Sequence, residues 1–256
     1  MTQVRHEMGI ILKSPREIAY MRDAGRVVAA VLDEVAKRVR PGITTAELDD
    51  IAVSELKKWG AEASFKGYRG FPASLCTSVN EEVVHGIPGK RMLNEGEIIS
   101  LDFGALLNSF HGDAAVTVGV GRISSEAQRI IDATRGALEA GIAVAKIGTR
   151  LGDVSAAIQS YAEARGFSVV REYVGHGIGR ELHEDPQVPN FGVPGEGPVL
   201  QKGMTMALEP MLNAGEWRTR VAEDRWTVVT ADGKLSAHFE NTIAIGESGP
   251  EILTRL

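Results

Sequence analysis

Residues 98–120 read IISLDFGALLNSFHGDAAVTVGV, two apolar runs that meet near Leu107-Asn108, with one aspartate inside each. Runs of this composition form buried strands, so Asp102 and Asp113 are expected within strands. Removing a carboxylate from water costs several kcal/mol, and Asp is seldom fully buried unless it is paired or bound to a metal. The two positions are symmetric about Leu107-Asn108. A hairpin turning there would set them opposite each other, about 5 Å apart at Cβ. Like charges that close repel, and a cation between them removes the repulsion. A metal site is the first reading and a proton-sharing carboxylate dyad the second; a structural pair, with Asp113 ending a turn, stays open.

The chain around this stretch has 256 residues, enough to bury a sizeable core as one large α/β domain or two fused halves. Hydrophobic residues make up 43% and charged residues 24%, which fits a water-soluble globular protein. The net charge of −6 gives no reason to expect nucleic acid as a partner. Charges scattered through the first residues leave no signal-peptide run, and no segment approaches the roughly 18 uncharged apolar residues of a membrane span. The expected location is the cytoplasm. The single Cys76 forms no internal disulfide, in keeping with a reducing compartment.

Residues 1–13 read as a tail or a first edge strand. At Ser14-Pro15-Arg16-Glu17 a helix begins, with Ser14 as N-cap, Pro15 in the first turn and Glu17 closing a capping box. Its stripe Ile18, Met21, Gly25, Val28, Leu32, Val35, Val39 runs to Pro41-Gly42. Thr44 with Glu47 opens a second helix whose buried face would hold Leu48, Ile51, Leu56 and Trp59. Ser125 with Gln128 caps a third, carrying Ile130, Ile131, Leu138 and Ile142, and a fourth is expected from about Leu151 to Arg165. Residues 42–60 lie over 148–166 without a gap: both stretches begin and end on Gly, and Leu48, Ala52 and Leu56 fall over Val154, Ile158 and Ala162. Two capped amphipathic helices can look alike by chance, but preceding helices and following strands also repeat in type. An internal duplication is expected, with halves of about 14–120 and 124–250 inside one domain spanning 14–256.

Later segments supply further strand-like runs: 167–174, 204–211 around Glu209, 226–230, and 239–245 beside Glu240. Residues 184–203, rich in Pro and Gly, are expected to be irregular. Four acidic residues, Asp102, Asp113, Glu209 and Glu240, thus sit in or beside apolar runs, together with His176 in the glycine-rich loop expected at GHGIG. One such carboxylate is commonly a satisfied structural group; four with an imidazole fit a cluster for hard to borderline divalent ions, in which bridging carboxylates can hold two ions about 3.5–4 Å apart.

The motifs LDFG (Asp102), HGDAA (Asp113), GHGIGRELHEDP (His176, His183), MALEPML (Glu209), SAHFENT (Glu240) and NEEVVHGIPG (His85) together closely resemble those of the methionine aminopeptidases, over Ser14 to Leu253. The resemblance implies an α+β "pita-bread" fold, two pseudosymmetric halves around a curved antiparallel sheet. It implies five metal ligands, Asp102, Asp113, His176, Glu209 and Glu240, holding two divalent ions (Co, Mn, Fe or Zn) that activate a water. It makes Glu209 the general base and places His183 and His85 against the substrate, His183 at the scissile carbonyl oxygen and His85 at the peptide nitrogen. An apolar methionine pocket is expected from Tyr68, Phe71, Cys76, Leu182 and Trp226. On the residues alone, each of these is as readily a core position.

Only thirty residues separate Glu209 from Glu240, leaving no room for the helical insertion of type II enzymes, so the chain looks like the short bacterial type I form. The implied partners are the N-termini of nascent polypeptides near the ribosome, and the implied state is a monomer. Three residues depart from the common pattern: His238 and Asn241 on either side of Glu240, and Leu182 where an aromatic is frequent. Two rival readings remain, a proline-specific peptidase of the same fold and a catalytically inactive pita-bread binding module. The first usually carries a substantial N-terminal domain and the second has lost ligands.

Overall fold

Strands Ile98–Leu107 and Phe110–Gly119 form the longest ladder of the molecule in a computed structural model that describes residues 9–255. The hairpin turns at Asn108-Ser109, both with positive φ (52° and 65°), the two-residue geometry whose twist matches that of the flanking strands. This is one residue later than the expected turn. Asp102 therefore pairs with Ala115, and Asp113 with Gly104. The aspartates are diagonal neighbours, not the facing pair the sequence predicts. Because the pairing shifts by an even number, both stay on one face of the sheet.

Around this hairpin the described residues build a nine-stranded antiparallel sheet. Its order runs Glu62–Ala63, Ile98–Leu107, Phe110–Gly119, Glu240–Gly246, Thr205–Leu208, Gly175–Gly177, Glu184–Val188. Leu75–Val79 pairs beside Ile98–Leu107, and Gly249–Ile252 beside Glu240–Gly246.

Among the described residues four α-helices cover the sheet, two for each half. Helix α1 (Pro15–Arg38) has the predicted reciprocal Ser14–Glu17 cap, and α2 (Thr45–Lys58) the Thr44–Glu47 cap. Helix α3 (Ser125–Val144) is capped by Ser124, one residue before the expected Ser125, and α4 spans Leu151–Glu163. The apolar faces of α1 and α2 close on Ile99, Leu101 and Phe103, while α3 and α4 close on Met206, Leu208, Ile243 and Ile245. Trp59, expected in the face of α2, is 46% exposed at its C-terminal end, and Ala52 lies buried on that face instead.

The two halves repeat in backbone detail. Gly42 and Gly148 both have strongly positive φ (85° and 89°), as do Gly60 and Gly166 (64° and 82°). The Gly42 N–H donates to the Leu93 carbonyl and the Gly148 N–H to the Leu200 carbonyl. Thr44 and Arg150, at the same spacing, each make an isolated antiparallel bridge, with Met92 and Val199.

Three local expectations fail. The run 167–174 forms a strand only at Ser168–Val169, because the chain turns out of the sheet at Arg171. His176 sits inside strand Gly175–Gly177 and not in a loop; its flanking glycines let neighbouring backbone pass, since a Cβ on Gly177 would overlap the Asp185 carbonyl. Glu184–Val188, in the stretch expected to be irregular, is the edge strand beside it. Of the expected N-terminal tail, residues 1–8 lie outside the described residues. Residues 9–13 are irregular, and Lys13 is fixed by a buried ion pair with Glu184 and by a bond from its N–H to the Gly203 carbonyl.

Candidate metal centre

The curved sheet brings five side chains from both halves together. Asp102 and Asp113 project from the hairpin, His176 from its three-residue strand, Glu209 from the segment after Thr205–Leu208, and Glu240 from the first position of its strand. Ligand atoms of Asp113, His176 and Glu240 lie within 4.8 Å of one another, and His176 Nε2 is 3.6 Å from Glu209 Oε1. The His176 Nδ1–H donates to the Gly177 carbonyl at 2.9 Å. That bond fixes the tautomer and leaves the Nε2 lone pair facing the carboxylates.

Asp113 and Glu240 are set by the central strand pair. Its ladder has only two steps, Glu240 opposite Ala115 and Asn241 opposite Ala114. Beyond each end a threonine hydroxyl replaces the main-chain bonds. Thr242 Oγ1 accepts from the Asp113 N–H (3.0 Å) and donates to its carbonyl (2.8 Å). Thr117 Oγ1 does the same for His238, at 2.9 and 2.7 Å.

Electrostatically the cluster is built for a cation. Burial pushes the Asp102 carboxyl up to about 7, opposed by a hydrogen bond with Asp113. Asp113, Glu209 and Glu240 are pushed well above the usual carboxylate range, first by burial and then by the charge of neighbouring carboxylates, Asp102 among them in every case. Asp102 Oδ1, Asp113 Oδ1 and Glu240 Oε1 are buried with no protein hydrogen-bond partner. Buried carboxylate oxygens of that kind are costly unless a positive group sits among them. Burial holds His176 down to about 4, so its imidazole is a neutral ligand. Hard oxygens with one nitrogen suit a divalent ion, and the residues present fit one.

A cavity of about 150 Å³ opens onto this cluster. Each residue singled out from the sequence lines it: the five acidic and imidazole groups, His85 and His183, and Tyr68, Phe71, Cys76, Leu182 and Trp226. Tyr68 stacks on His183 with ring centroids 5.2 Å apart, and His183 lies 4.1 Å from His176. Phe71 meets Trp226 edge-on at 5.2 Å. Cys76 pairs across the sheet with Asp102; burial, followed by the nearby carboxylates, pushes its thiol up, which makes it an inert wall. His85 has a positive φ (61°) at the end of strand Glu82–Val84, a conformation that non-glycine residues rarely adopt and that tends to mark functional positions. His183 precedes the strand that Lys13 anchors through Glu184.

Two lining residues escape the sequence reading, Phe65 and Arg69. Arg69 lies over the Tyr68 ring at 5.3 Å and has positive φ, but nothing in its sequence neighbourhood carries a chemical signal. Of the three departures, Leu182 is buried in the wall. Asn241 is not part of the pocket lining, and its amide donates to Thr254 Oγ1. His238 is buried behind Glu209 and Glu240.

A curved antiparallel sheet with carboxylates and one imidazole at its centre defines a pita-bread metallopeptidase, and residues 19–247 match the profile of metallopeptidase family M24. The chain is 58% identical to a methionine aminopeptidase of Clostridium perfringens, over 96% of this chain and 98% of that one. It is 56% identical to methionine aminopeptidase 1 of Bacillus subtilis, over 96% and 100%. The crystal structure of the Thermotoga maritima methionine aminopeptidase superposes with a TM-score of 0.95 at 51% identity, covering 96% of this chain and all of that one. The chain belongs to the type I methionine aminopeptidases of family M24. An Xaa-Pro dipeptidase of Bacillus anthracis shares the fold (TM-score 0.77, 23% identity), but the chain covers only 62% of its length.

Proposed function

We propose that this protein removes the initiator methionine from nascent polypeptides whose second residue is small, by hydrolysis of the first peptide bond. The observation that carries the reading is the meeting, in one cavity, of a buried carboxylate–imidazole cluster with an apolar aromatic wall.

Asp102, Asp113, His176, Glu209 and Glu240 would hold the divalent metal, read here as two ions drawn from Mn, Fe, Co or Zn. Such ions, when bound, supply a water of lowered pKa and positive charge for a polarised carbonyl. Every other step falls to side chains of this chain. Glu209, at the edge of the cluster, accepts a proton from the attacking water and passes it to the leaving amine. His183, held neutral because burial pushes its pKa down to about 3, donates a hydrogen bond to the scissile carbonyl oxygen as charge grows there. His85, also neutral, with its pKa lowered to about 4 by burial, contacts the peptide nitrogen. Phe71, Cys76, Leu182, Trp226 and Tyr68 enclose the methionine side chain, whose flexible thioether suits aromatic walls. The same reading has the protein act as a cytoplasmic monomer near the ribosome, where its substrates emerge.

The test uses a peptide copied from this chain's own first residues, Met-Thr-Gln-Val, beside variants with Leu or Lys in place of Thr2 and an Ala-Pro peptide. Each is incubated after chelation and after separate add-back of Mn, Fe, Co and Zn. Mass spectrometry should show methionine lost from the Thr peptide only with metal restored, with far slower cutting of the Leu and Lys peptides and none of Ala-Pro. Full activity after chelation, or preference for Ala-Pro, would overturn the proposal.

A further inference from the structure

The residue behind the cluster is the one the proposed mechanism leaves unused. His238 ends strand Ser236–His238, opposite Met211 on the strand that follows Glu209, and is only 1% exposed. Its main chain is clamped, the N–H and the carbonyl both bonded to the Thr117 hydroxyl. Among the described residues neither ring nitrogen has a hydrogen-bond partner. Its Nε2 nevertheless faces both glutamates, 4.0 Å from Glu209 Oε2 and 3.9 Å from Glu240 Oε2.

An imidazole with one N–H has one donor and one lone pair, and this ring is buried with the Nε2 side turned to the two carboxylates. With the backbone fixed on both sides, the ring's freedom is limited to its own torsions. The acceptors facing Nε2 are one oxygen of each carboxylate, Oε2 of Glu209 and Oε2 of Glu240. A move of about 1 Å, less than a side-chain torsion supplies, closes either contact to hydrogen-bond length.

We propose that His238 is a positioning residue of the metal centre: its Nε2–H, shared between Oε2 of Glu209 and Oε2 of Glu240, fixes how these two ligands present their remaining oxygens. Outer contacts of this kind tune metal affinity, and their loss commonly weakens binding 10–100-fold. The inference rests on the reading that Glu209 and Glu240 hold metal.

The experiment compares wild type with H238Q, whose amide keeps a donor, and H238L, which fills the space without one. Circular dichroism and thermal unfolding first establish that each variant is folded. Mn(II) binding to chelator-stripped protein is then measured by calorimetry, with kcat and KM on the Met-Thr peptide alongside. H238L should bind Mn(II) at least tenfold more weakly and lose kcat with KM little changed, while H238Q stays within about threefold of wild type on both measures. Long-range ¹H–¹⁵N spectra of histidine-labelled, Mn-free, Zn-loaded H238Q and wild type identify the His238 signal by its absence in the variant; it should be the neutral Nε2-protonated tautomer. Unaltered Mn(II) affinity in H238L, equal impairment of H238Q and H238L, or an Nδ1-protonated ring would each overturn the role of His238 alone. Wild-type protein that bound no Mn(II) would overturn the metal reading and this inference with it.

Discussion

At the scale of single residues, the sharpest distinction is between groups that hold and groups that act. Asp113 and Glu240 carry orphaned buried oxygens and meet His176 within 4.8 Å. Asp113→Ala or Glu240→Ala should therefore abolish metal binding and hydrolysis together while the fold persists, as elemental analysis and circular dichroism would check. His183 stacks on Tyr68 inside the cavity, beyond the ligand set. If it stabilises charge developing on the carbonyl oxygen, His183→Ala should lower kcat by roughly 10²–10³, the scale of losing one such donor, with metal content unchanged. An unchanged kcat would return His183 to a structural role. The carboxylates were legible because chemistry forces rare combinations: carboxylates inside apolar runs need a cation or a proton; His183 was reached only through the resemblance of its motif. Phe65 and Arg69 were not, because an aromatic and an arginine on a loop suit any surface, and only the fold brings them to the cavity.

At the scale of elements, local signals fared best where the physics is local. The capping boxes of α1 and α2 involve residues three apart, so sequence alone contains the whole interaction. The hairpin turn was misplaced by one residue because symmetry of the two apolar runs says nothing about φ, and Asn108-Ser109 is only a moderate left-handed signal beside Asn-Gly. Gly25 illustrates what lies beyond reach. It entered the reading as one more small residue in the stripe of α1, whereas a Cβ there would overlap the Leu253 carbonyl oxygen of the C-terminal segment, and a Cβ on Gly112 of the sheet would come within 2.9 Å of the Gly25 nitrogen. The contact joins segments more than two hundred residues apart in sequence. Two effects compete in Gly25→Ala. Helix propensity favours Ala by about 1 kcal/mol, and overpacking against backbone that cannot rotate away costs about 1–3 kcal/mol. The overlap should win, so urea unfolding should show a net loss of stability in Gly25→Ala. A gain would mean that α1 shifts on the sheet more freely than this packing allows.

At the scale of the whole molecule, the proposed ligands come from both halves, so metal binding should add stability to a fold that persists without it. We propose that the halves descend from an internal duplication, on the strength of the glycines and bridges that recur between α2 and α4. The pH dependence of stability without metal then follows from opposed groups. His85, His111, His176, His183 and His238 are all lowered by burial. Below their unfolded value of about 6.5, the unfolded chain binds protons that the folded protein does not, and stability falls as pH falls. The carboxylates act the other way. Asp102 is raised to about 7, and Asp113, Glu209 and Glu240 well above their usual range, against about 4 when unfolded. The folded protein holds their protons and the unfolded chain does not, so stability falls as pH rises through the raised values. Between pH 4 and 6.5 the two sets offset each other. From pH 7 to 8 the histidines are mostly neutral in both states and the carboxylates dominate, each costing up to about 1.4 kcal/mol per pH unit while it stays protonated in the folded state. Chelator-treated protein should therefore melt at lower temperature at pH 8 than at pH 7. With Mn(II) in excess the carboxylates are ionised in the folded protein too, and the slope should flatten or reverse. Equal melting temperatures at the two pH values without metal would mean that the cluster holds no excess protons above pH 7.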